Sequence, residues 1–337
     1  MIRIAIDANG GDYGLETTVP AAMMAVAKFP TLEIILYGDE EKIQPLLTNS
    51  TRIQVVNTKE TLSMGEKDPV RAIRNQRNAS LCLAMKACKE GYADACVTSG
   101  PTQCVVVGGH LLVRRIPKME RVALCPFLPN LDGHPRLLLD VGANVELRPE
   151  HIGHLALFAT IVSKSLLKVK NPKVGLLNIG SEPGKGREID KETYNYLKNL
   201  PNIDFYGNVE PTEMVDCPTD IVVTDGFTGN ICMKSIEGTA KTLSVMLKEE
   251  IKSSLSGKIG YLFMRKNLQR FKKRMSNKEV GGAMLFGLQK VVVKAHGNSD
   301  PIAYFNAIRL AKEMVEADII EQVVAALPKE HTDEAAQ

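Results

Sequence analysis

Val174–Gly186 reads VGLLNIGSEPGKG, an apolar run of strand length that breaks into a loop holding Gly180, Gly184 and Gly186. Arg187-Glu188-Ile189 follows, and there a polar helix begins. A buried strand that feeds a glycine-rich turn sets backbone N–H groups at the carboxyl edge of a sheet. Such a nest suits phosphate or a thioester oxygen, and Lys185 adds a positive point charge. The loop is not a P-loop, because Gly180 and Gly184 are one residue too close and Gly186 stands where the magnesium-binding hydroxyl belongs. Taken alone, it is equally well an exposed strand-to-helix turn with a stray lysine.

Outward from this stretch the same unit recurs. Apolar, β-rich runs mark strands at Ile2–Asp7, Glu33–Tyr37, Ile53–Val56, Ala95–Thr98, Arg136–Asp140, Lys173–Asn178, Ile203–Tyr206, Ile221–Thr224 and Val291–Lys294. Helices fit at 17–28, 40–47, 69–90, 150–170, 188–199, 230–256 and 301–326, the third opened by Asp68-Pro69, an N-cap followed by proline at the first helical position. Alternation of this kind predicts an α/β fold with a mostly parallel sheet and helices on both faces. No repeat or linker interrupts it, so residues 1–328 are expected to form one compact unit, with two lobes possible, and residues 329–337 a frayed tail.

Six of the strands end in loops of one type: Ala8–Asp12, Ser99–Thr102, Val141–Asn144, the loop after Asn178, Asp225–Asn230 and Ala295–Ser299. Each joins glycine to Asn, Asp, Ser or Thr. In an open parallel sheet these carboxyl ends share one edge, which predicts a polar crevice lined by backbone donors.

The totals exclude several classes. A net charge of +3 without aromatic-basic clusters argues against nucleic acid as a partner. Seven cysteines at irregular spacing, with no C-x-x-C pair, predict reduced, buried and inert thiols in a cytosolic protein. The N-terminus enters a strand directly, with no signal-peptide order, and no apolar run reaches membrane-spanning length. There is no G-x-S-x-G elbow for a serine hydrolase. Glu150, His151 and His154 could imitate metal ligands, but their apolar neighbours predict a surface or dimer-contact face. Asp7 and Asp12 flank a glycine pair and are expected to stabilise that turn rather than hold a metal.

The motifs also carry a family resemblance. DANGGD at Asp7–Asp12, LDVGAN at Leu139–Asn144, Val174–Gly186, and DGFTGN at Asp225–Asn230 with Lys234, Glu237 and Gly238 are similar to those of the phosphate acyltransferases of bacterial phospholipid synthesis, the PlsX type. Gly281-Gly282-Ala283 and Ala295-His296-Gly297 complete the set over nearly the whole chain. The resemblance implies a fold like that of the isopropylmalate and isocitrate dehydrogenases and phosphotransacetylase, a homodimer, and conversion of acyl-[acyl carrier protein] (acyl-ACP) and inorganic phosphate into acyl phosphate and free carrier. The chain departs from the family pattern at Pro101 and Gln103, around Gln76–Ser80, and at Met284. Rival readings are a phosphotransacetylase-like enzyme using acyl-CoA, and a silent scaffold on the membrane. A metal-dependent dehydrogenase of the same fold is disfavoured by the lack of closely spaced aspartates.

A thioester is already activated, so the site has to join two substrates and neutralise charge on the carbonyl oxygen and the leaving sulfur. Lys185 with the Gly184 and Gly186 backbone is assigned the phosphate or oxyanion charge. Asn230 and Asn144 are assigned as neutral donors, His296 as the acid for the departing thiolate, and Asp225 as an orienting group. Gly10, Gly11, Ser99, Gly100, Thr102, Asn178, Gly229 and Gly282 complete the expected substrate-binding set, with no metal and no cofactor. From Ile251 to Lys278 there is no acidic residue, while basic side chains alternate with Ile259, Leu262, Phe263, Leu268, Phe271 and Met275. Such an amphipathic segment predicts peripheral contact with an anionic membrane surface and attraction of an acidic carrier protein.

Overall fold

The computed structural model describes residues 1–274 and 281–327. In chain order the elements are β1 (Ile2–Asp7), α1 (Leu15–Lys28), β2 (Leu32–Gly38), α2 (Glu40–Ile43), β3 (Ile53–Asn57), α3 (Pro69–Asn75), α4 (Ser80–Lys89), β4 (Ala95–Thr98), α5 (Thr102–Gly108) and β5 (Ala123–Leu128). They continue with β6 (Arg136–Leu139), α6 (Pro149–Ser165), β7 (Lys173–Leu177), α7 (Glu188–Asn199), β8 (Asp204–Val209), β9 (Ile221–Val223), α8 (Gly226–Ser253) and α9 (Leu255–Arg274). The last are β10 (Ala283–Phe286), β11 (Val291–Lys294), α10 (Pro301–Glu316) and α11 (Ile319–Ala326).

The strands form one sheet in the order β3-β2-β1-β4-β11-β10-β5-β6-β9-β7-β8. Side chains alternate between two cores, as a period of two demands when both faces are covered. Ile4, Ile6, Ile34, Leu36, Val97 and Val293 enter one core with Ala21, Leu155, Phe158 and Ala307 of α1, α6 and α10. Ala5, Ile35, Cys96 and Val292 enter the other with Leu81, Met85, Cys104 and Met233 of α4, α5 and α8. The seven cysteines are all free and buried, and burial pushes the Cys82 thiol up to about 12. Asp68 caps α3 by accepting from the Arg71 N–H at 3.0 Å.

Two strands escape the sequence reading, and they matter most for the site. β10 is antiparallel to both β11 and β5, and β5 is antiparallel to β6. The other pairings between these strands are parallel. Three reversals turn the β6-β9-β7-β8 block head to tail against β3-β2-β1-β4-β11. The expectation of six loops on one edge is therefore corrected: the loops after β1, β4 and β11 lie on one edge, those after β6, β9 and β7 on the opposite edge.

Helical boundaries differ as well. The expected helix 69–90 is split into α3 and α4, because Gln76 (φ −98°, ψ 59°) leaves helical geometry. The expected helix 301–326 is split at Asp318 (φ 47°). His151 is not on a surface face. It is buried at the start of α6, where Nδ1 accepts from the Arg148 N–H at 3.2 Å and Nε2 lies 3.0 Å from Glu120 Oε2. The end of the basic segment (275–278) and the tail at 329–337 lie outside the described residues.

Candidate active site

On the first edge, Asp7, Thr98 and Lys294 end three adjacent strands, and Thr98 is in register with Lys294. Asp7 is buried and accepts from Ser80 Oγ (2.5 Å) and Thr98 Oγ1 (2.7 Å). Burial pushes its pKa up, opposed by those bonds, by the Gly10 N–H and by the charge on Lys294. Lys294 is 8% exposed, and its Nζ donates to the carbonyls of Ala295 and, at 3.4 Å, Ser99. Burial lowers its pKa to about 8, against the pull of Asp7 and Asp12.

The turns around these ends are knitted together. Ser99 Oγ donates to the Gly10 carbonyl (2.8 Å), and the Asp12 N–H donates to the Gly297 carbonyl (2.8 Å). A Cβ on Gly10 would stand 2.3 Å from Asp7 Oδ2, and one on Gly11 (φ +90°) would stand 2.4 Å from Ser99 Oγ. Only glycine allows this approach. Gly100 donates its N–H to Thr98 Oγ1 (2.9 Å), and Thr102 opens α5 after Pro101. Gly282 (φ +97°) packs on the Lys294 carbonyl.

On the second edge Asp140 is the hub. Its carboxylate is buried and accepts from the N–H groups of Leu124 (3.0 Å), Gly142 (3.2 Å), Ala143 (3.1 Å) and Asn144 (2.8 Å), and from Asn144 Nδ2 (2.9 Å). Burial pulls its pKa up while these donors favour the charged form. Asn144 Nδ2 also donates to the Val122 carbonyl (2.7 Å), so both amide N–H groups of Asn144 are engaged within the protein, in place of the substrate contact that the sequence reading assigns it. Asp225 caps α8, with Oδ1 accepting from the Thr228 N–H (2.7 Å) and Oδ2 from Arg187 (2.5 Å). Arg187 also holds Asp190, and the two carboxylates raise its pKa.

Asn178 Nδ2 donates to the Lys185 carbonyl (3.1 Å) and closes the glycine loop, where Gly186 has φ +90° and Gly184 has open space around it. The Lys185 side chain is 51% exposed, with its Nζ 3.9 Å from Glu182. Arg187 rather than Lys185 is thus the cation that reaches Asp225.

Helix α8 joins the two edges. Gly226 and Gly229 in its first turn press on the 140–144 turn, and Asn230 faces Gly142. Two turns on, roughly 10 Å along the axis, Glu237 Oε1 lies 3.8 Å from His296 Nε2, which belongs to the first edge. Among the expected site residues, Gly10, Gly11, Ser99, Gly100, Thr102, Gly282 and His296 gather at one end of this span. Lys185, Asn144, Asn178, Gly184, Gly186, Asp225, Gly229 and Asn230 gather at the other. Lys294, Arg187 and Asp140 stand with these clusters and are not among the residues assigned from the sequence. Each stands beside a glycine-bearing turn, and that position was the available signal. Val145, Ile179 and Ile231, which directly follow Asn144, Asn178 and Asn230, are exposed, as is Phe227 in the first turn of α8.

The fold is that of the phosphotransacetylases. It is similar to a phosphotransacetylase from Streptococcus pyogenes (TM-score 0.61, 17% identity, 95% of this chain and 94% of that one) and to the EutD phosphotransacetylase from Staphylococcus aureus (TM-score 0.60, 14% identity, 93% and 94%). A family model described as fatty acid synthesis protein matches residues 2–322. The chain is 47% identical over 325 residues to a phosphate acyltransferase from Acholeplasma laidlawii, covering 96% of this chain and 97% of that one. It is 44% identical over 326 residues to one from Shouchella clausii, covering 97% and 98%. The chain belongs to this family, the phosphate acyltransferases.

Proposed function

We propose that the protein transfers the acyl group of acyl-ACP to inorganic phosphate, supplying acyl phosphate to glycerophospholipid synthesis. The observation that carries the reading is the pair of glycine-rich, donor-lined clusters at either end of the α8 span. One holds the buried Lys294 beside Asp7, and the other has Val145, Ile179, Phe227 and Ile231 exposed next to its turns. An apolar rim suits an acyl thioester more than an acetyl one.

In this reading a phosphate oxygen attacks the thioester carbon and the C–S bond breaks. The proton of the hydrogen phosphate dianion passes through His296 to the departing sulfur, which balances the step. Glu237 sits where it can orient His296. Asn230, with the N–H groups of the α8 first turn, faces the carbonyl oxygen. Arg187 holds Asp225 and so the helix start, and Lys185 with Gly184 and Gly186 contributes positive potential at the mouth. The reading calls for no metal or cofactor. Timing acyl phosphate release from labelled phosphate, with acyl-ACP or acyl-CoA as donor, tests it. Faster turnover of acyl-ACP is expected. Preference for acyl-CoA would favour the phosphotransacetylase-like alternative, and no turnover with either donor would favour a silent scaffold.

The same reading places the enzyme in the cytoplasm, as a homodimer touching the membrane. No helix among the described residues is long and apolar enough to cross a membrane. Helix α9 exposes Leu262, Phe263 and Met264 beside Lys258, Arg265, Lys266 and Arg270. Each cation near anionic lipid contributes about 1 kcal/mol. Leu262→Asp with Phe263→Asp is expected to weaken co-sedimentation with anionic vesicles at low salt by about tenfold or more. Unchanged co-sedimentation would remove α9 from the contact.

A further inference from the structure

We infer that Lys294 binds the attacking phosphate, in the notch where β1, β4 and β11 end. The inference rests on the acyl transfer reading above and names the subsite that this reading leaves open. Lys294 is fully framed by the fold. The neighbouring strand ends supply Asp7 and Thr98, and Ser99, whose carbonyl accepts from Lys294, is tied through its Oγ to the Gly10 carbonyl.

Its ammonium has three N–H groups and donates to two backbone carbonyls, those of Ser99 and Ala295. Among the described residues it forms no ion pair. Asp7, the nearest buried acid, directs one oxygen to Ser80 and the other to Thr98. A buried cation without a carboxylate in contact is costly, and an apolar side chain of the same length would fill this space at no such cost. The arrangement gains its purpose when a dianion enters and takes the remaining N–H. The glycines at 10, 11 and 100 let the turns pack directly on Asp7, Ser99 and Thr98, which hold the strand ends around Lys294. Lys185, half exposed and beside Glu182, has no comparable enclosure.

The groups with charge near Lys294 are Asp7 on β1 and Asp12 in the turn after it, with His296 two residues along its own chain. The Lys294 pKa of about 8 leaves the amine partly neutral near that pH. A bound dianion favours the ammonium, so phosphate binding near pH 8 is expected to take up protons from the buffer.

Calorimetric titration of inorganic phosphate into the whole protein, wild type and Lys294→Met, tests the inference without turnover. Lys294→Gln serves as the second variant, since it keeps a donor for the two carbonyls. Loss of phosphate affinity by about 30-fold or more is expected in both variants, with proton uptake abolished. In turnover, KM for phosphate is expected to rise by a similar factor, while KM for the acyl donor stays within about twofold. Thermal unfolding identifies which variant is folded and carries the reading. Equal phosphate binding by wild type and a folded variant would overturn the inference and leave the acyltransferase reading intact. So would a wild type that binds no phosphate at millimolar concentration. A wild type that makes no acyl phosphate, but whose phosphate binding needs Lys294, would sink the acyltransferase reading and support the inference.

Discussion

Asparagine in place of Asp140 is expected to cost about 3 kcal/mol of stability and about 100-fold in acyl phosphate formation. Five N–H groups converge on this one carboxylate, and the asparagine amide would turn a donor toward donors. Unsatisfied buried donors cost about 1–3 kcal/mol each, though neighbours in one network do not add. The turn they hold, Val141–Asn144, is the surface against which α8 begins. A loosened turn therefore displaces Asn230 as well as weakening the fold. Denaturant unfolding and the turnover assay read the two effects separately. A variant with wild-type stability and rate would show that the hub has no such role.

Alanine at Gly229 should be nearly as damaging for a steric reason. A Cβ there would stand 1.9 Å from the Asp140 carbonyl oxygen, a backbone atom that cannot swing away. Gly226 one turn earlier is as tight, with the Asn144 carbonyl oxygen 2.2 Å from its would-be Cβ. Overpacking typically costs about 1–3 kcal/mol, and a backbone clash lies at the upper end. Gly238, in the same helix, has nothing within 4 Å of its would-be Cβ. Gly238→Ala is therefore expected to leave stability unchanged or raise it by up to about 1 kcal/mol, through helix propensity alone. Thermal unfolding of the two alanine variants makes the comparison. Equal behaviour would mean that α8 does not press on the 140–144 turn.

Why the strands were legible and the edges were not comes down to β5 and β10. Runs such as Ile2–Asp7 and Val291–Lys294 declare themselves through apolar content and the turns that bound them. β5 carries Pro126 in its middle, which argues against an interior strand, yet it pairs on both sides. β10 is only Ala283–Phe286, wedged between a glycine pair and the short connection to β11, and so passes for turn. These two short strands reverse the sheet, and with them absent every carboxyl end falls on one edge.

Side-chain roles follow the same division. The N-cap of α3 and the glycine turns depend on local chemistry and could be read. That Lys294 is enclosed, that Arg187 rather than Lys185 meets Asp225, and that His296 faces Glu237 all depend on contacts between distant segments, which no spacing in the chain encodes.

The central claim is that one acyl transfer uses both edges, joined by α8. The direct measurement is acyl phosphate formation by Asn230→Leu, by His296→Ala and by the double variant, all checked for folding. Each single change is predicted to lower kcat by about 100-fold, with the double no worse than the product of the two, because both residues serve the same step. Wild-type turnover in either folded single variant would contradict the claim, since one end of the span would then take no part in the reaction.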